Sequence, residues 1–251
     1  MDHFVYIAAA GAKESMLAQA ANAHNLANAS TVGFKADLVE AETVYLRGAG
    51  QETRAYNVIQ GTGTDFEQGV IEQTGRDLDL AINGEGWFAV QALTGEGNGG
   101  EGVTRRGDFR IDEFGQLVNG AGQALLGNDG PIALPPFSSL SIGSDGTVSI
   151  VPLGELPNAV AVLDRIKMVN PASEDLSKGE DGFFRTDSDL PTPADGNVRL
   201  VSGALESSNV NPVTAMVRMI ELSRQFEHYV KLMKTAEDVD TSSASLMRLQ
   251  S

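Results

Sequence analysis

The sequence predicts an α+β protein, in which long N- and C-terminal helices form a coiled-coil-like pair and flank an inserted all-β domain. The ends of the chain are long stretches almost free of helix breakers. Between about residues 37 and 205, by contrast, lie nearly all of the 28 glycines and all but one of the 9 prolines, among short β-branched runs. A solitary helix of this kind is marginal in water, so the two helices are expected to pair with each other and with further copies of the chain.

The N-terminal segment, residues 1–36, predicts one long helix from about Phe4 to Ala29. This stretch is rich in alanine, lacks proline and contains only Gly11 as a weak helix former. Gly33 follows it as a stop signal. Its large apolar residues are few, and alanine alone cannot support an independent core, but small side chains let helices approach closely. We therefore expect partner helices to pack against this segment.

The C-terminal segment, residues 206–251, predicts a second helix. Asn211 is expected to be the N-cap and Pro212 the first helical residue. One apolar stripe follows a spacing of three and four residues: Met219, Leu222, Phe226, Tyr229, Met233 and Ala236. A neighbouring stripe consists of Val213, Met216, Val217, Ile220 and Val230. Together they are wider than the seam of a two-stranded coiled coil, so the second stripe needs cover from a β domain or from several helices.

The middle of the chain predicts an extended connector over residues 37–76 and a β-rich outer domain over residues 77–205. Short strand-like runs flank turn signals in this outer domain. Three hairpins are predicted, with turns at 113–115, 144–146 and 83–86. Turn signals this frequent indicate an antiparallel barrel or sandwich.

Composition excludes several functional classes. The 251 residues include 18 Lys plus Arg against 34 Asp plus Glu, a formal net charge of −16. This charge argues against nucleic acid and against anionic lipid as partners. Cysteine is absent, which rules out disulfides and thiolate chemistry. No run of 18 apolar residues predicts a membrane span, and the first residues do not resemble a cleavable signal peptide.

No catalytic, cofactor or metal site is predicted, since each candidate pattern has a simpler structural explanation. Gly95–Gly100 matches G-x-G-x-x-G, but a strand follows it and acidic residues surround it, so we interpret it as a hairpin loop. The histidines His3, His24 and His228 do not share the i,i+4 spacing of metal ligands.

The acidic and aromatic candidates also have structural interpretations. The acids of Arg76–Asp79, and the group Asp187, Asp189 and Asp195, are interpreted as solvated turn residues. Trp87 is expected to anchor the core rather than to stack on carbohydrate. A secreted glycan-active enzyme and a β-rich binding module remain as alternative functions, and an exposed Trp87 would favour the binding module.

Three ordered segments resemble one protein family. Residues Asn25–Lys35 resemble the N-terminal signature of bacterial flagellar rod and hook proteins, and Leu205–Asn211 with the following helix resembles their C-terminal signature. Between them, Asp77–Phe88 and Thr104–Phe109 resemble the β-region of the hook and distal-rod branch. The chain is most similar to the proximal-rod proteins of the F type, and the distal-rod G type is the nearest alternative. Val32 departs from the pattern, in which Pro or Asn commonly precedes the glycine.

The resemblance implies a structural subunit of the flagellar basal-body rod, which is the drive shaft that crosses the periplasm, and no enzymatic activity. It also implies export through the flagellar type III apparatus and assembly with copies of itself and with other proximal-rod and distal-rod proteins. Small-molecule substrates, cofactors, nucleic acid and membrane insertion are not expected.

The terminal helices are expected to form the assembly interface. Phe226, Tyr229 and Met233 are predicted to line the seam, with Ala18 and Ala21 opposite. The asparagines at helix ends are expected to cap backbone groups, unless they only terminate the helices. The predicted interface consists of Ile7, Leu17, Ala18, Ala21, Leu26, Asn28, Asn209, Met219, Leu222, Phe226, Tyr229 and Met233.

Overall fold

A computed structural model describes residues 2–45, 55–91, 100–156, 158–179, 181–186 and 190–248. The chain divides into two compact units. Unit 1 comprises Met1–Ala29, Ala36–Asp65 and Val210–Ser251, and unit 2 comprises Ser30–Lys35 and Phe66–Asn209. The predicted boundaries at residues 36, 76 and 205 stay predictions.

The described residues of unit 1 form two long helices and one hairpin. Helix α1 spans Asp2–Ala27 and helix α2 spans Pro212–Arg248. Strands β1 (Asp37–Tyr45) and β2 (Ala55–Thr64) pair antiparallel, with Asp37 opposite Thr64. This hairpin lies in the segment that we predicted as an extended connector.

The start of α2 is as predicted from Asn211 and Pro212. The Asn211 Oδ1 accepts hydrogen bonds from the backbone N–H groups of Val213 and Thr214, at 3.0 and 3.1 Å. These groups have no partner within the helix, so the asparagine is an N-cap in the ordinary sense. Proline fits the first helical position because its missing N–H would be unpaired there in any case.

The expected coiled-coil-like pairing of the terminal helices is wrong, although two long helices and many short strands agree with an α+β protein. A coiled coil inserts large apolar side chains from both helices into one seam. On α1 the buried residues are small or polar, and the larger Ile7, Met16 and Leu17 are 43, 63 and 42% exposed. The buried residues of α1 are Ala8, Ala12, Ser15 and Asn22. On the α1 side of this pair, small side chains and hydrogen bonds therefore take the place of large interdigitated apolar residues.

Unit 2 is built from short antiparallel strands. The strands are β3 (Ile71–Gln73), β4 (Leu80–Asn83), β5 (Trp87–Gln91), β6 (Glu101–Thr104), β7 (Arg110–Ile111), β8 (Leu117–Val118), β9 (Phe137–Ile142), β10 (Thr147–Pro152), β11 (Ala161–Arg165), β12 (Met168–Val169), β13 (Leu176–Lys178), β14 (Phe184–Thr186), β15 (Arg199–Ser202) and β16 (Ala204–Glu206). A five-stranded sheet has the order β12-β5-β6-β14-β13, and a three-stranded sheet has the order β11-β10-β9. Three further pairs are β15 with β4, β16 with β3, and β7 with β8. A single 3₁₀ turn, Ser173–Asp175, precedes β13 among the described residues.

Two of the three predicted hairpins are confirmed. Strands β7 and β8 pair around Gly115, and β9 and β10 pair around Gly146. Both glycines have positive φ, 81° and 86°, which these tight turns require.

The third predicted hairpin is wrong, although its two strands exist. Strand β4 pairs with β15, and β5 pairs with β6 and β12. The segment between them, 84–86, takes the chain from one sheet to the other, and Gly86 packs against Val198. Two buried strands joined by a short glycine-rich link give the same local pattern whether or not they pair with each other.

The core of unit 2 forms two apolar clusters. The larger contains residues such as Leu80, Phe88, Phe109 and Leu125, each at most 1% exposed. The second surrounds Trp87, whose ring lies 4.8 Å from that of Phe184 and 5.8 Å from that of Phe66. Trp87 is therefore a core residue, as predicted.

Candidate assembly surface and a buried ion cluster

The seam between α1 and α2 uses side chain-to-backbone hydrogen bonds. The Ser15 hydroxyl donates to the Leu222 carbonyl at 2.9 Å, and the Asn22 amide donates to the Ala215 carbonyl at 2.8 Å. Because residues later in α1 meet residues earlier in α2, the two helices run antiparallel.

Gly11 extends this seam toward the start of α1. A Cβ atom at Gly11 would lie 2.5 Å from the Tyr229 ring. We expected Ala18 and Ala21 opposite the group of Phe226, Tyr229 and Met233, and that pairing stays a prediction; the residue that lies against the Tyr229 ring is Gly11. The missing side chain of the glycine leaves space for the large ring.

The large apolar residues at the start of α2 point away from this seam. Val213, Met216, Val217 and Ile220 are all between 52 and 69% exposed. With 3.6 residues per turn they share a face roughly opposite Ala215 and Leu222, which are buried. Val230, the last member of this second stripe, is also exposed. The predicted cover for this stripe is thus absent from the described part of the single chain.

Helix α1 likewise exposes large apolar side chains and buries small ones. Tyr6 and Leu17 lie on the face away from its small buried residues, and Tyr6 is 67% exposed. A helical hairpin that is stable alone places its large apolar residues inside. Here the small residues are inside and many of the large ones are outside, so these helices present apolar area to solvent.

The predicted interface residues fall into three groups. Ile7 and Leu17 are exposed, and Leu222 is buried in the seam. Asn209 belongs to unit 2 and is half-buried there. The remaining residues are half-buried within unit 1: Ala18, Ala21, Leu26, Asn28, Met219, Phe226, Tyr229 and Met233. Their contacts with other copies of the chain stay a prediction.

The asparagines near the end of α1 hold backbone groups. Asn25 grips the backbone of Asp37 at the start of β1, since its amide donates to the Asp37 carbonyl and accepts from the Asp37 N–H, both at 2.8 Å. His24 Nδ1 lies 2.6 Å from the carboxylate of the same Asp37. Asn28 donates to the His24 carbonyl of its own helix at 3.0 Å. Asn25 and His24 thus fasten the end of α1 to the hairpin of unit 1.

Unit 2 contains a buried group of three charged residues, Lys35, Arg105 and Glu206, which we call the ion cluster. Their side chains are 0, 6 and 1% exposed. Glu206 Oε1 lies 2.7 Å from Lys35 Nζ, and Glu206 Oε2 lies 3.0 Å from an Arg105 guanidinium nitrogen. The Gly69 N–H also donates to Glu206 Oε1, at 3.0 Å. A single carboxylate therefore neutralises part of the charge of two buried cations.

Further contacts hold the two cations of the ion cluster. Lys35 donates to the Glu67 carbonyl at 2.7 Å, and Arg105 donates to the Gly84 carbonyl at 2.8 Å. The Arg105 guanidinium lies 5.2 Å from the centre of the Trp87 ring, a cation–π contact. Burial lowers the pKa of Arg105 below its ordinary value, and the charge of Glu206 opposes this effect. The Arg105 Nε is buried and makes no hydrogen bond within the described part of the chain.

Sequence reasoning missed the ion cluster. All three residues stand inside the segments that carry the family resemblance, but nothing local shows that Lys35 and Glu206, far apart in the chain, meet. The available signal was that Lys35 and Glu206 are each the single charged residue of their signature segments, Asn25–Lys35 and Leu205–Asn211.

The structure also bears on the other candidate residues. Asp79, interpreted as a solvated acid, is buried, and it accepts hydrogen bonds from Arg76 Nε at 2.9 Å and Thr74 Oγ1 at 2.6 Å. The acids Asp187 and Asp189 and most of the Gly95–Gly100 loop lie outside the described residues. In the described ranges, no three His, Cys, Asp or Glu side chains are grouped so that they could hold a metal ion. No helix in these ranges is long and apolar enough to span a membrane.

Comparison with known proteins gives consistent similarities along most of the chain. Residues 81–150 match the family described as "Flagellar hook protein FlgE/F/G D1 domain". Residues 201–246 match "Flagellar basal body rod FlgEFG protein C-terminal".

Individual proteins from three bacteria are also similar. The chain is 38% identical to the flagellar basal-body rod protein FlgF of Escherichia coli, over 95% of each chain. It is 36% identical to FlgF of Salmonella typhimurium, over 99% of this chain and all of that protein. Its identity to the flagellar basal-body rod protein FlgG of Bacillus subtilis is 33%, over 90% of this chain and 91% of that protein.

Proposed function

Since this chain belongs to the family of flagellar basal-body rod proteins and is of the F type, we propose that it works as a non-enzymatic proximal-rod subunit that transmits torque. In this proposal the terminal helices of neighbouring copies pack together into a shaft.

The exposed apolar residues of the terminal helices are the observation that supports this proposal most directly. Burying them against neighbours stabilises an assembly by about 25 cal/mol for each Å² of apolar surface removed from water. Head-to-tail contacts that do not close on themselves generate a helical filament. The small residues between α1 and α2 allow a close-packed pair, and close packing suits a shaft that has to resist twisting.

The charge of α2 fits an assembly of like copies. Its acidic residues equal its basic residues in number, so the helix is close to neutral at pH 7. Most of the excess negative charge of the chain lies in unit 2. Neutral helical surfaces can approach each other without the repulsion that a net charge of −16 would otherwise impose.

The proposed partners are further copies of the chain, other proximal-rod proteins and distal-rod proteins. The proposed location is the periplasmic part of the basal body, reached through the flagellar type III apparatus. A chain without cysteine suits this route, since it can be threaded unfolded into an oxidising compartment without forming disulfides.

The test is complementation in a flagellated host from which the corresponding gene has been deleted. The unaltered chain should restore swimming, and purified basal bodies should contain it in the rod. The variant Ile220→Asp places a charge on the exposed stripe and should abolish both, because an assembled interface would bury that carboxylate.

The matched control is Gln225→Asp, which puts the same charge at an exposed position on a different face of α2. It should leave swimming close to normal. Both purified variants should show the helix content of the unaltered chain, since both positions are exposed. Normal swimming with Ile220→Asp, or basal bodies without the unaltered chain, would contradict the proposal.

A further inference from the structure

Two segments of unit 2 that are distant in sequence lie side by side. They are 30–35, which ends where the chain passes into β1, and 204–209, which ends shortly before α2. The Gly33 N–H donates to the Glu206 carbonyl at 2.8 Å, and the Asn209 N–H donates to the Phe34 carbonyl at 3.3 Å. The Lys35–Glu206 ion pair adds a third link between the same two segments.

Each segment is also held by the body of unit 2. The Lys178 ammonium donates to the Lys35 carbonyl at 3.1 Å and lies 4.3 Å from the centre of the Phe34 ring. Strand β16 pairs with β3, so that Leu205 lies opposite Glu72. The Ser207 N–H donates to the Val70 carbonyl at 2.8 Å.

Withdrawing either segment from unit 2 while the other stays in place costs free energy, mainly because it breaks buried ion pairs. Withdrawal of 204–209 removes Glu206, the carboxylate that contacts both Lys35 and Arg105, so both buried cations lose this ion pair. Withdrawal of 30–35 removes Lys35, exposes the apolar site around Phe34 and breaks both backbone hydrogen bonds to the other segment. Removing one partner from a buried ion pair is far more destabilising than removing an exposed pair.

We propose that the ion cluster makes segments 30–35 and 204–209 a single latch, which opens and closes as one cooperative unit. The latch is a property of the single chain and does not require assembly. In a subunit delivered unfolded, as proposed above, the latch has a consequence for folding order. Unit 2 closes only after residues 204–209 are free to bring Glu206 to the two cations.

Hydrogen exchange of the full-length chain, resolved by peptide, tests the latch with the variant Glu206→Gln. This change removes the negative charge and keeps the side-chain shape. Exchange should accelerate by at least about 100-fold in both segments. The factor of acceleration should be the same in the two segments. Peptides from β9 and β10, residues 137–152, should exchange as in the unaltered chain.

Two further variants make the result decisive. Glu72→Gln is the matched control, because Glu72 is an exposed residue of β3 opposite Leu205 and the change removes the same charge. It should leave exchange in both segments within about threefold of the unaltered chain. Lys35→Met keeps the Arg105–Glu206 pair and should accelerate both segments equally, by a smaller factor than Glu206→Gln.

Three results would overturn the latch. One is acceleration of 204–209 alone, which would show that the segments open independently. Another is equal acceleration throughout unit 2, which would show that the ion cluster contributes only to global stability. The third is unchanged exchange in Glu206→Gln. Because exchange is measured on the unassembled chain, these results are separable from any failure of rod assembly.

Discussion

At the scale of single residues, one glycine shows how closely segment 30–35 of the latch packs against Arg105 and Arg106. Gly33 has φ +66°, and a Cβ atom there would lie 2.4 to 2.5 Å from backbone atoms of Arg105 and Arg106. Backbone atoms cannot move aside as a flexible side chain can. The glycine is therefore required both by its conformation and by the space available to it.

Replacing Gly33 by alanine should destabilise unit 2 strongly. Gly75→Ala is the matched control, because Gly75 also has positive φ, +75°, but has open space where the Cβ would stand. The control should cost about 1–2 kcal/mol from conformation alone. Gly33→Ala should cost clearly more, as measured by urea unfolding followed through the fluorescence of Trp87. Equal losses in the two variants would show that the close contact does not matter.

The pair of Asp181 and Arg185 predicts a small acid-dependent effect. Hydrogen bonds from the Arg185 guanidinium, at 2.5 and 2.9 Å, lower the pKa of the Asp181 carboxyl below its ordinary value. A carboxyl with a lower pKa in the folded chain stabilises it above the unfolded pKa, about 3.9 for aspartate. That stability is lost as the pH falls through the lower, folded value.

The unfolding free energy of the unaltered chain should fall as the pH is lowered from neutral to about pH 3, and we expect this fall to be smaller in Asp181→Asn. The effect should be below about 1 kcal/mol, because the pair is only partly buried. Arg185→Gln should flatten the same pH profile, and the double variant should add nothing further. A profile unchanged by either single substitution would contradict this assignment.

At the scale of elements, hydrogen bonds from one side chain tie the end of α1 to the start of β1. Asn25 satisfies both backbone groups of Asp37 at once, which sets where β1 begins relative to the helix. Asn28, three residues later, instead turns back to the carbonyl of His24. Two asparagines in one signature thus have different structural roles.

Asn25→Ala should be more destabilising than Asn28→Ala. Asn25 loses two hydrogen bonds to another element, each worth about 1 kcal/mol, and leaves the Asp37 backbone groups without these partners. Asn28→Ala removes the bond to the His24 carbonyl, also worth about 1 kcal/mol, but that bond lies within one helix and joins no second element. Thermal unfolding followed by far-ultraviolet circular dichroism measures both losses. Equal melting temperatures of the two variants would argue that the Asn25 hydrogen bonds to the Asp37 backbone do not fix the end of α1.

At the scale of the whole molecule, net charge and apolar surface act against each other. Copies with a net charge of −16 repel, while their exposed helical residues favour association. Salt screens the repulsion, with a Debye length of about 10 Å at 0.1 M, and does not weaken apolar burial. The balance between these two forces predicts how association depends on salt.

Self-association of the purified chain should therefore increase as sodium chloride is raised from about 0.02 to 0.5 M, a range over which the Debye length falls severalfold. Light scattering or sedimentation velocity measures the change. Ile220→Asp should remain monomeric throughout this range, whereas Gln225→Asp should follow the unaltered chain. Association that falls with salt would point to ion pairs rather than to apolar contact.

Local signals predicted local structure well. Asn211 and Pro212 marked the start of α2, and Glu113–Gly115 and Ser144–Gly146 marked two hairpins, because caps and tight turns depend on a few adjacent residues. Strands β4 and β5 were also identified, but their partners were not. Pairing depends on which distant strand offers a complementary edge, and no short window contains that information.

The sequence by itself determined the α+β composition, the core position of Trp87, the excess negative charge and the membership of a rod family, because these follow from composition, periodicity and ordered motifs. Only the tertiary structure decided that α1 presents small residues to α2, that Gly11 faces Tyr229, and that Lys35, Arg105 and Glu206 share one buried site. These arrangements depend on the register of helices and on contacts between segments far apart in the chain. The burial of each position then determines whether a charged residue there needs a partner and whether an apolar residue there is shielded from water.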